Sequence, residues 1–109
     1  MIETADGLAN IADVASTPGL DGLFVGPADL GLAMGLDSFA DLTDPGLVEA
    51  LDAVVDAAGS NGIVPGIHAP SSEGALSMIA RGFRMVSCAV DADLLRRGAD
   101  AALRDTRPM

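Results

Sequence analysis

Glu3 and Asp29 are the residues of this chain whose type and setting invite chemistry. Each follows a short apolar run, Met1-Ile2 before Glu3 and Leu23-Phe24-Val25 ahead of Gly26-Pro27-Ala28-Asp29. Such runs read as buried parallel strands, and the strands of an α/β barrel offer their C-terminal ends to one active face. Two carboxylates at strand ends would therefore face one pocket. Hard oxygen donors without sulfur suit Mg²⁺ or Mn²⁺ and leave coordination positions for substrate oxygens. The chemistry this favours is metal-assisted reaction at a carbonyl. Two plainer readings stand beside it: Asp29 as a helix cap after a strand turn, and Glu3 as a surface acid near the chain's start.

The elements that must position these acids alternate along the chain. Leu8, Ile11, Ala12 and Ala15 recur at helical spacing and predict one helix over Ala5 to Ala15, stopped by Thr17-Pro18-Gly19. Leu20 to Val25 predicts a strand. Leu30 to Leu36 predicts a short helix or irregular excursion, and a loop follows through Thr43. At Asp44-Pro45 an N-cap acid and an N1 proline precede Leu47, Leu51, Val54, Val55 and Ala58 on one face, with Gly59 as the expected stop. Ile63 to His68 reads as a strand whose Pro65 and Gly66 point to an irregular, closely approached backbone. A helix from Ser71 or Ser72 carries Leu76, Ile79 and Ala80 as its apolar stripe and ends at Arg81-Gly82. Phe83 to Val90 supplies another strand, and Asp91 is the expected cap of a last helix with Leu94, Leu95, Ala99, Ala102 and Leu103.

This order predicts βαβ units and a parallel sheet in one α/β domain spanning residues 1–109. An eight-stranded barrel takes about 250 residues, so the chain supplies about half of one. Half of the 109 residues are hydrophobic and all three aromatics are Phe, so the core falls to Leu, Val, Ile, Ala and Met, with Met34, Met78 and Met85 as expected fillers. A net charge of −10 argues against nucleic acid and anionic membrane as partners, since both require a basic face. With neither a long apolar run nor a basic leader pattern, a cytoplasmic location is expected. Cys88, the single cysteine, reads as a buried reduced thiol within a strand. Asp37, Asp41 and Asp44 read as a solvated loop and a helix cap. Arg81, Arg84, Arg96, Arg97 and Arg104 read as helix-end or exposed charges.

Met1-Ile2-Glu3-Thr4, Gly22 through Leu30, Pro65-Gly66-Ile67 and Val90-Asp91 together resemble the HpcH/HpaI aldolase family, to which citrate lyase β-type proteins are related. The likeness covers essentially the whole chain and corresponds to the C-terminal half of the family's TIM (β/α)₈ barrel. In that family the acid of Ile-Glu-Thr and the Asp of Gly-Pro-Ala-Asp bind the divalent metal, Mg²⁺ or Mn²⁺. The matching positions are Glu3 and Asp29, and their 26-residue separation fits. The resemblance also implies that backbone around Gly26, Pro27 and Ala28 helps hold a keto acid. His68 then lines the substrate pocket at a position often apolar in relatives, and this departure touches the aldehyde preference.

The activity implied is reversible cleavage of a 4-hydroxy-2-oxo acid to pyruvate and an aldehyde. Family members take their general-base histidine and substrate-stabilising arginine from the N-terminal half, so no catalytic residue is assigned here. Two alternatives stay open. One is a citrate lyase β-like lyase acting on acyl-CoA thioesters. The other is an incomplete half-barrel that serves as an assembly partner, because an unpaired sheet boundary invites dimerisation or pairing with the missing half. A homo-oligomer is the family's usual state.

Overall fold

The computed structural model describes residues 1–37 and 41–107. Helices α1 (Ala5–Ala9) and α2 (Ile11–Ala15) precede strand β1 (Gly22–Val25), helix α3 (Pro27–Ala33) and helix α4 (Pro45–Ser60). Strand β2 (Val64–His68), helix α5 (Ser72–Arg81), strand β3 (Met85–Ser87) and helix α6 (Asp91–Thr106) complete the chain. The three strands form a parallel sheet in the order β1-β2-β3. Ile2 adds one parallel bridge to Val25 at the free edge of β1, held by Ile2 N–H to the Phe24 carbonyl at 2.8 Å and Gly26 N–H to the Ile2 carbonyl at 3.3 Å. Parallel strands alternating with helices make this a partial α/β barrel fold.

Alternation along each strand sorts the sheet into two unlike faces. Leu23, Val25, Pro65 and Ile67 point toward the helices and are buried. They join Ile2, Leu30, Leu47, Leu51, Val54, Met78 and Phe83 in the core. The opposite face carries Phe24, Val64, His68, Met85 and Ser87, all at least partly exposed. In a closed barrel that face is the packed interior. Here it meets solvent, and the molecule is elongated. Its radius of gyration is 16.7 Å, against about 13 Å for a compact chain of this length.

Helix α4 anchors the core, as its sequence pattern predicts. Asp44 accepts hydrogen bonds from the Gly46 and Leu47 amides at 2.9 and 3.2 Å, Pro45 opens the helix, and Leu47, Ala50, Leu51, Val54 and Ala58 are buried. The helix runs past Gly59 to an Asn61 cap, and the left-handed turn falls on Gly62. Ser71 caps α5 through the Gly74 amide, and Gly82 closes that helix at φ 115°.

Several expectations are corrected. The first helix is two, broken at Asn10, whose side chain bonds back to the Asp6 carbonyl. Helix α3 begins at Pro27, ahead of the expected Leu30, because proline's fixed φ suits the first helical position. The expected loop before Thr43 includes residues 38–40, which lie outside the described residues. Strand β2 stays regular despite Pro65, which sits at its second position. Strand β3 is only three residues long, and Cys88 beyond it is exposed. In α5 it is Ala75 and Met78 that are buried, whereas Leu76 and Ile79 are 68% and 55% exposed. Met85, half exposed on the open face, is no core filler. Val90 takes the cap position of α6, so Asp91 is its first residue, and α6 buries none of its side chains. Leu76 and Ile79 of α5, Met85 of β3, and Leu94, Leu95 and Leu103 of α6 are all more than half exposed.

Candidate active site

Glu3 follows the bridge residue Ile2, so its position at the C-terminal edge is set by that single pairing with β1. Its carboxylate lies directly over Gly26. A Cβ built on Gly26 would stand 2.6 Å from Glu3 Oε1 and 3.2 Å from Cδ, so glycine is what leaves room for the acid. Gly26 is itself buried, ends the β1 segment, and is the N-cap of α3. Asp29 occupies the first turn of that helix, three residues on, and is exposed.

The capping reading of Asp29 finds no support in the hydrogen bonds. No side chain caps α3. The Gly26 amide, which an acid at this position could reach, donates instead to the Ile2 carbonyl. Among the described residues neither the Glu3 nor the Asp29 carboxylate accepts a hydrogen bond. The strand-to-helix turn thus carries Asp29 and, seated on Gly26, the Glu3 carboxylate, neither with a hydrogen-bond partner among the described residues.

Gly26, Pro27 and Ala28 form this turn, with Pro27 buried and Ala28 exposed. His68 ends β2 on the same open face, half-buried, with its Nδ1 2.8 Å from Ser87 Oγ on β3. Sequence reading passed over Ser87, because its place beside His68 depends on the β2–β3 register. No sequence signal short of that register would have found it.

The donor set fits a hard divalent cation only in part. Two carboxylates and no sulfur suit Mg²⁺ or Mn²⁺, which retain water or substrate oxygens at their other positions. Among the described residues no group of three or more ligating side chains gathers, so any further donors must come from solvent, substrate or another polypeptide. Two cavities lie away from this edge. One of about 270 Å³ is lined by Leu8, Met34, Gly46, Glu49, Ala50 and Ala53 in the helix layer. The other, of about 260 Å³, includes Gly62, Val64, Gly82 and Arg84 at the opposite end of the strands. That end of a barrel reads as stability rather than catalysis. At the candidate site Asp29 is exposed and Glu3 half-buried.

Residues 1–98 match the HpcH/HpaI aldolase/citrate lyase family. The chain belongs to that family. It is similar to a hydroxypyruvate/pyruvate aldolase of Rhizorhabdus wittichii, 36% identical over 109 residues, covering 100% of this chain and 43% of that protein. A 5-keto-4-deoxy-D-glucarate aldolase of Shigella dysenteriae is 33% identical over 105 residues, 96% of this chain and 40% of that protein. Among solved structures, an HpcH/HpaI aldolase/citrate lyase family protein from Burkholderia cenocepacia superposes with a TM-score of 0.85 at 33% identity, covering 98% of this chain and 41% of that one. The chain therefore spans less than half the length of the relatives it matches. No helix among the described residues is long and apolar enough to cross a membrane.

Proposed function

We propose that residues 1–109 form a partial barrel domain that carries the cation-holding edge of an aldolase, a carbon–carbon lyase cleaving a 4-hydroxy-2-oxo acid to pyruvate and an aldehyde. The observation that carries this reading is the seat of the Glu3 carboxylate on Gly26, at the turn that leads straight to Asp29. The relatives' names, pyruvate and keto-deoxy-glucarate aldolases, support the reaction class.

In this reading Glu3 and Asp29 hold Mg²⁺ or Mn²⁺. When bound, the ion supplies electrophilic stabilisation of negative charge developing on a 2-oxo acid. The chain's own contribution is placement. The Gly26-Pro27-Ala28 turn would lend its backbone to holding the keto acid. His68 borders the same edge one strand away. The general base and the substrate-binding arginine belong to the part of the relatives' length that this chain does not span.

A second reading is favoured by a specific observation. The inner sheet face and α6 expose Met85, Leu94, Leu95 and Leu103, so a further half-barrel or another copy is needed to cover them. The chain would then act through assembly, with or without catalysis. Pyruvate release from a 4-hydroxy-2-oxo acid in the presence of Mn²⁺, abolished by chelator and by Glu3→Gln or Asp29→Asn, supports the aldolase. Cleavage of an acyl-CoA thioester instead would favour the citrate lyase β-like alternative. Absence of both activities, with Mn²⁺ affinity that ignores both substitutions, would overturn the assignment.

A further inference from the structure

A right-handed crossover packs its helix over both of the parallel strands it joins. Helix α4 obeys this rule and packs on β1 and β2. Helix α6 follows β3, yet among the described residues no further strand lies beside β3, and α6 buries none of its side chains. The other edge has the matching want. The Ile2 segment pairs with β1 on one side and, among the described residues, with no strand on the other. Ile2, β1, β2 and β3 all run parallel, so the outer side of β3 and the outer side of Ile2 are complementary in direction. Four parallel segments are half of the eight that close a barrel. The sheet face turned from the helices carries Phe24, Val64 and Met85, apolar side chains of the kind that fill a barrel interior.

Charge is divided along the same line. Residues 1–80 hold twelve of the sixteen acids and no arginine or lysine, whereas residues 81–109 hold all six arginines. Helices α1 and α2, which follow the Ile2 segment, carry exposed Asp6 and Asp13 with half-buried Leu8 and Ile11. Helix α6 at the opposite edge carries exposed Arg96, Arg97 and Arg104 with exposed Leu94, Leu95 and Leu103. Arg96 is paired with Asp93, but among the described residues Arg97 and Arg104 form no ion pair. A second copy turned about a two-fold axis brings α6 of each chain to the Ile2 edge of the other, so one complementary contact is made twice.

We propose that two copies of this chain close one eight-stranded barrel, β3 of each pairing with the Ile2 segment of the other and α6 of each covering that junction. This rests on the assembly reading above and commits it to a second copy. Parallel strands then present all their C-terminal ends at one end of the barrel, where Glu3 and Asp29 of both chains lie. The end of β3 of the second copy stands one strand spacing, about 4.8 Å, from the Glu3 segment. Cation donors that the described residues of one chain do not gather would come from the second copy.

Sedimentation equilibrium and small-angle X-ray scattering on the purified full chain test the arrangement. The mass should be twice 10.9 kDa. A compact barrel of two chains should have a radius of gyration of about 17 Å, barely above the 16.7 Å of one chain, whereas two elongated chains meeting by another face would exceed it. Arg97→Glu with Arg104→Glu, or Asp6→Arg with Asp13→Arg, should each weaken dimerisation at least about tenfold by setting like charges against one another. Mixing the two variants should restore the dimer, because both junctions of the mixed pair are again complementary, and misfolded variants would not be rescued. A monomer at every concentration, a dimer with a radius well above about 17 Å, variants that dimerise like the wild type, or variants that stay monomeric when mixed would overturn the proposal. A monomer that closes only when a separate polypeptide carrying the other barrel half is added would assign the edge to that polypeptide and overturn it as well. Mn²⁺ titration of the same samples reads the aldolase assignment separately. Binding that Glu3→Gln abolishes in a monomer leaves that assignment standing without this proposal, and a closed dimer that binds no Mn²⁺ leaves this proposal standing without the assignment.

Discussion

Replacing Gly26 by alanine separates the role of the Glu3 seat from the stability of the fold. Gly26 has φ −93° and ψ 93°, which alanine adopts without strain. Alanine is a poorer N-cap than glycine, at a cost of under about 1 kcal/mol. The steric consequence is larger. The new Cβ would stand 2.6 Å from Glu3 Oε1, where ordinary contact begins at 3.4 Å. The oxygen must withdraw by roughly 0.8 Å, several times the ~0.2 Å latitude of a metal–ligand bond. Because the obstructed group is the end of a flexible side chain, the fold yields easily while the carboxylate proposed to hold the cation loses its place. Mn²⁺ affinity, measured by titration calorimetry, should weaken about 10- to 100-fold, with the thermal midpoint nearly unchanged. Gly66→Ala is the matched control. Its Cβ would meet Phe24 at 2.8 Å and Met85 at 2.9 Å, with neither acid among its nearest contacts. It should cost about 1–3 kcal/mol of stability and leave Mn²⁺ affinity intact. A folded Gly26→Ala protein that binds Mn²⁺ like the wild type would refute the reasoning.

Four other substitutions probe the supporting structure. Leu51→Ala in the fully buried centre of α4 should destabilise by about 2–5 kcal/mol, and Asp44→Ala, which strips the cap from the same helix, by about 1 kcal/mol, both read from urea unfolding. The Thr43 hydroxyl, with help from the Thr43 amide, holds the Asp41 carboxyl below its ordinary value. Its contribution is present at pH above the unfolded carboxylate range and is lost as pH falls through the lowered value. Carboxyl ¹³C NMR should find Asp41 moved back up in Thr43→Val. Leu95, 77% exposed, buries nothing in the isolated chain. Leu95→Glu should therefore leave its unfolding free energy within about 0.5 kcal/mol, while sedimentation velocity should show any concentration-dependent association weakened; association unaffected by the charge would exclude this face of α6 as a contact.

Local signals carried the reading of the fold furthest. Asp44-Pro45 and the apolar spacing behind it specify α4 without help from tertiary structure, and Leu20 to Val25, bounded by turn residues, reads as the strand that forms over Gly22–Val25. Signals failed where burial depends on partners distant in sequence. Leu76, Ile79 and Met85 have the composition of core residues, and Cys88 that of a buried thiol. All four are exposed in the fold, because nothing local in the sequence encodes which surface a distant element covers. At the site, Glu3 and Asp29 stand out in the sequence because each follows an apolar run. The seat on Gly26 was not, since it requires the single bridge between Ile2 and Val25. Ser87 escaped notice for a related reason: serine in a three-residue strand carries no signal until a register puts it beside His68.

The one-sided hydrogen bonding of β3 has a consequence for the order in which the molecule loosens. β1 is paired on both sides, by β2 and by Ile2, whereas β3 is paired on one side only and is followed by a helix that buries nothing. Local opening free energies follow such differences, so amide exchange should run fastest in α6, then β3, and slowest in β1. Ser87 belongs to the strand that opens early, and Glu3 and Gly26 to the part that persists. Transient fraying of β3 should break the His68–Ser87 hydrogen bond while the carboxylate seat stays intact. Whatever closes this edge of the sheet therefore also governs how long His68 keeps its serine.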